Sequence, residues 1–148
     1  MSELINDEIV VAEMNRRDWR IRIGEEDYKI STAGIFNHTT EIIDSKEETI
    51  IKVEARKWYS NEYVVLFENT AYRLITRNNP LIEWVIKKEE DEYLAYGLDT
   101  MRENKKPAVR ITEKDNAQPL LFHALLWYLF EPVAMENTVD FQWWILGI

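Results

Sequence analysis

The chain has 148 residues, 46% of them hydrophobic and 30% charged, a balance that supports one folded domain over residues 1–148 and excludes a disordered polyelectrolyte. Its 27 acidic residues against 18 basic ones give a formal net charge of −9, which opposes binding to nucleic acid and disfavours an anionic membrane surface. The absence of cysteine excludes thiol catalysis, disulfides and cysteine metal sites, and the cytoplasm is the expected compartment.

The opening MSELINDEIVVAEM has neither a basic start nor an apolar run ending in small residues, so no secretory signal is expected there. The first strand is predicted at 9–14. The next, at 19–23, places Trp19, Ile21 and Ile23 on one face and Arg20 and Arg22 on the other. After the acidic turn Glu25-Glu26-Asp27, further strands are predicted at 28–31, 40–43, 49–55, 63–67, 71–77, 82–87, 93–98 and 109–112. The separators, among them GEED, DSKEE, EN and NNP, are charged or turn-forming and fall at hairpin spacing. About ten strands in an antiparallel meander follow, with no strand–helix alternation and no internal repeat.

Residues 119–132 read PLLFHALLWYLFEP and predict a helix. Asp115 or Asn116 can cap it, Pro119 suits its first turn, and Pro132 marks its end. Leucine, phenylalanine and tryptophan occupy every direction around its axis, so it has no face for solvent and must be enclosed. Twelve residues make a rod of about 18 Å, which a curled sheet can cover. The expected fold is mainly β: an antiparallel β-barrel of about ten to twelve strands enclosing one hydrophobic helix near the C-terminus, with 139–145 as a possible final strand. Glu131 and Pro132 interrupt the apolar stretch, so no transmembrane segment is expected.

The strand series followed by Asp115-Asn116-Ala117-Gln118-Pro119-Leu120-Leu121, with the apolar helix ending in Tyr128-Leu129-Phe130-Glu131, resembles the tubby C-terminal-like superfamily, which includes the LURP-one-related proteins and phospholipid scramblases. The resemblance implies a barrel of about twelve strands around a buried helix. The chain departs from that family in its shorter length and acidic charge, and no phosphoinositide-binding lysine and arginine motif can be matched by position. Only the fold is carried over.

Several constellations qualify as candidates. Arg16, Arg17, Arg20 and Arg22 surround Trp19 and form the concentrated positive patch of the chain, suited to an anion or a base, but an exposed strand face balanced by carboxylates explains them better. A second basic group, Arg102, Lys105, Lys106 and Arg110, suits a solvated loop tip. His123 lies within the apolar helix and reads as a hydrogen-bonded structural histidine, because no carboxylate on the same element is spaced to join it to His38. The acidic runs 25–27 and 89–92 lack the ligand spacing of a calcium loop, and no metal site is expected. Adjacent aromatics at Trp58-Tyr59 and Trp143-Trp144 point to opposite strand faces, so an outward Trp143 or Trp144 could meet a partner.

No phosphate loop, dinucleotide fingerprint, nucleophile elbow or zinc-protease helix is present in the sequence. The expectation is a non-catalytic binding or scaffold domain without a cofactor, contacting a basic protein partner or a second copy of itself. The alternatives are a lipid-binding module at the membrane surface and a calycin-like barrel holding a small apolar ligand.

Overall fold

Side chains that alternate with a period of two set one face of each strand against the core and leave the other to solvent. The computed structural model of the protein describes residues 2–6, 9–15, 17–33, 39–55, 62–77, 82–99, 108–116, 118–136 and 142–144. In chain order the strands are β1 (Ser2–Asn6), β2 (Ile9–Asn15), β3 (Arg20–Ile23), β4 (Glu26–Ala33), β5 (Thr39–Ile43) and β6 (Thr49–Ala55). They continue as β7 (Glu62–Phe67), β8 (Thr70–Arg77), β9 (Glu83–Lys88), β10 (Asp91–Asp99), β11 (Ala108–Glu113) and β12 (Gln142–Trp144), with helix α1 (Leu120–Glu136) between the last two.

The ten strands predicted from alternation correspond to β2 through β11. All twelve belong to one sheet, in the order β11 to β1 followed by β12. Each neighbouring pair from β1 to β11 is antiparallel, and β12 lies parallel to β1. Among the described residues β11 and β12 stand at the two ends of this order with no pairing between them, so the described sheet is not closed.

Register brings like residues together across the inner face. One row runs Ile30, Ile42, Ile51 and Phe67; another runs Tyr63, Leu74, Ile86 and Leu94. Local turn chemistry fixes these registers. Glu68 and Asn69 both take positive φ, 50° and 60°, as a two-residue type I′ hairpin between β7 and β8 demands. In the β5–β6 loop, Asp44 Oδ1 accepts from the amides of Lys46 and Glu48, each at 2.9 Å.

The helix is surrounded. Every residue from Leu121 to Trp127 is buried, and Leu125, Leu126 and Trp127 have no exposed surface. Its partners come from distant parts of the sheet: Phe67 and Tyr72 meet Phe122, Tyr96 meets Phe130, and Trp19 meets Tyr128 edge-on at 4.7 Å. Both β2 and β10 touch α1. Eight strand spacings separate them, about 38 Å in a flat sheet, whereas a helix with its side chains is only about 10–12 Å across. The sheet therefore curls around α1.

Three sequence expectations need correction. The helix does not stop at Pro132 but continues to Glu136. Pro132 is exposed, and beyond it buried Ala134 and half-buried Val133 return apolar contact to the core. Asp115 and Asn116 belong to a separate 3-10 turn, Lys114–Asn116, in which Asp115 has φ 58°, and the helix starts only at Leu120. Trp19 is not a strand residue: it occupies the turn before β3 with φ 53°, yet packs against the core.

Candidate functional site

His123 projects from the first half of α1 toward β10 and β11. Its Nδ1 lies 2.8 Å from the Tyr96 hydroxyl and its Nε2 lies 2.9 Å from Glu113 Oε1. A carboxylate can only accept, so Nε2 carries a proton and donates to Glu113. Glu113 Oε1 also accepts from the backbone amide of Gln118 at 3.0 Å, while its Oε2 is buried with no hydrogen-bond partner among the described residues. Burial by itself pushes the Glu113 carboxyl up, but the hydrogen bond and charge of His123, joined by the Gln118 amide, hold it below its ordinary value.

This row has the composition of an acid–base relay. It is nevertheless sealed, with Tyr96 and His123 at 0% exposure and Glu113 at 4%. Its chemistry is to satisfy buried polar groups and to tie α1 to β10 and β11. Sequence reasoning identified His123 as hydrogen-bonded and missed Glu113, which sits on β11 and meets the ring only through the fold.

A cavity of about 130 Å³ opens beside the second half of α1. It takes one residue from each of six consecutive strands, Thr32, Thr40, Val53, Tyr63, Leu74 and Trp84, and is completed by Leu129 of the helix. Val53, Leu74 and Thr40 are buried and form its floor; Tyr63, Trp84 and Leu129 are half-buried and Thr32 is exposed, so these form the mouth. The Tyr63 and Trp84 rings stand 5.9 Å apart at 40°. Thr32 Oγ1 lies 2.9 Å from Thr40 Oγ1 and 2.8 Å from the Tyr128 hydroxyl, a chain of three hydroxyl groups along one wall.

On the opposite face, Arg77 of β8 binds Glu83 of β9 at 2.9 Å and also contacts Glu92, and Arg110 of β11 approaches Glu83 at 3.8 Å. Glu83 crosses β10 at Gly97, where an added Cβ would stand 3.1 Å from its Cγ. The hydrogen bond to Glu83 raises the Arg77 guanidinium above its ordinary value. This is an ion-pair cluster whose carboxylate is buried.

The arginines singled out in the sequence fall as follows. Arg16 lies outside the described residues, and Arg17 is exposed in the turn before β3 with its amide bonded to Asn15. Arg20 pairs with Asp18 at 3.1 Å. Arg22 forms a two-point bond with Asp27 at 2.9 and 3.2 Å, which raises the guanidinium and lowers the carboxyl from their ordinary values. Trp143 and Trp144 lie in β12 beside Leu4 and Ile5 of β1. Trp58, Tyr59, His38, Arg102, Lys105 and Lys106 lie outside the described residues.

Among the described residues, no group of three metal-ligating side chains comes together, and no helix is long and apolar enough to cross a membrane. Searches of protein-family models, curated proteins and solved structures find no match for the chain.

Proposed function

We propose that the protein is a non-catalytic binding domain of the tubby-like kind, in which the curled sheet completes a barrel around α1 and the outer surface contacts a basic protein partner. The observation that carries this reading is the sealing of the Tyr96–His123–Glu113 row. Among the described residues, the acid–base row built around a histidine is engaged with itself and out of reach of a substrate. A net charge of −9 favours cationic partners through long-range steering. It also disfavours the lipid-binding alternative, since Arg20 and Arg22 already face carboxylates.

Native mass spectrometry of the protein, purified gently from cells that express it, tests the proposal. The expected result is a protein complex that dissociates as ionic strength rises, because exposed charge attraction is screened over about 10 Å at 0.1 M salt. A bare monomer at every ionic strength overturns it.

A further inference from the structure

We propose that the cavity between α1 and strands β4 to β9 is a binding site for a small, neutral, largely apolar molecule carrying one hydrogen-bond acceptor. The inference deepens the reading of the protein as a binding domain, but it does not depend on the protein partner.

The lining decides the class of ligand. None of the seven lining side chains is charged, so an ion entering the site would lose its hydration without compensation. Valine, leucine and two aromatic rings supply dispersion contacts on most sides. A volume of about 130 Å³ suits a molecule of about six or seven heavy atoms, close in size to the benzene that a dry cavity of about 150 Å³ accommodates.

The hydroxyl chain decides the polar contact. Thr40, Thr32 and Tyr128 have three hydroxyl protons, and the two links between them use two. With the phenol donating to Thr32 and Thr32 donating in turn to Thr40, the chain runs from Tyr128 to the cavity floor. Thr40, buried at the cavity floor, is then left with a proton for an acceptor within the cavity. A carbonyl or ether oxygen on the ligand fits this position.

Cyclohexanone and its isostere methylenecyclohexane, which lacks the acceptor, are the probes for a titration of the full chain followed by nuclear magnetic resonance of the Trp84 indole N–H. Cyclohexanone is expected to shift that signal saturably and to bind about fivefold more tightly than the isostere, the typical effect of one hydrogen bond. Thr40→Val should bring the two affinities together, Thr40→Ser should restore the difference, and Leu129→Trp should abolish both responses by filling the cavity. The proposal is overturned by the absence of a saturable shift, by equal affinities in the unaltered protein, or by a shift that survives Leu129→Trp. Cyclohexanone binding without a salt-sensitive protein complex would remove the partner reading and leave this site intact.

Discussion

The hydroxyl of Tyr96 on β10 lies 2.8 Å from Nδ1 of His123 on α1, and neither residue has any exposed surface. The pair, with Glu113 beside it, joins the helix to the sheet by directional contacts inside the core. Tyr96→Phe keeps the ring and removes the hydroxyl, leaving His123 Nδ1 without this bond. The expected loss is about 1–2 kcal/mol in urea unfolding, the cost of stranding one buried polar atom. Unchanged stability would show that the contact contributes nothing.

Glu113 gives the fold a defined dependence on pH. Its carboxyl is held below its ordinary value when folded, so the folded state favours the ionised form. The stabilisation is complete above the ordinary carboxylate range and is lost as pH falls through the folded value. In Glu113→Gln, unfolding free energies measured from about pH 7 to about pH 3 should show a shallower acid limb than in the unaltered protein. Equal slopes would mean that Glu113 is not the group responsible.

Gly97 and Glu83 form a steric pair on the outer face. Gly97→Ala should destabilise by about 1–2 kcal/mol, because the new methyl group crowds Glu83 Cγ while Arg77 restrains the carboxylate. In a Glu83→Ala background the same substitution should cost little, and a double-mutant cycle by thermal denaturation would measure that coupling. Additive effects would refute the steric account.

Leu125 is fully buried at the centre of the enclosed helix. Leu125→Asp places a carboxylate there at a cost of several kcal/mol, comparable with the whole stability of a small domain. Loss of the cooperative transition in circular dichroism is expected. A retained transition near the original temperature would indicate that α1 has a solvent-facing side.

Much of this architecture is legible along the chain because its signals are local. Alternation located β2 to β11, and the apolar circumference of 120–130 announced an enclosed helix. The failures have physical reasons too. Ser2–Asn6 is short, and its backbone finds partners only when β2 and β12 flank it. Pro132 normally ends a helix, but packing of Val133 and Ala134 outweighs one missing hydrogen bond. Glu131 interrupts the apolar segment as expected, yet it is buried, at 5% exposure, which its sequence position does not reveal. Neither candidate feature inside the fold could be read from spacing: Glu113 reaches His123 from another element, and the cavity draws single residues from six strands.

The sheet curls around α1 rather than lying against one side of it. A chain without cysteine accepts two introduced thiols as its only labelling sites, so Asn15→Cys on β2 and Thr112→Cys on β11 can each carry a spin label at an exposed position. Their separation by pulsed electron resonance is the direct measurement. Curling predicts a distribution centred below about 30 Å, within the width of a barrel of this strand number. Nine strand spacings of a flat sheet would give about 43 Å, and a distribution at that distance would contradict the account.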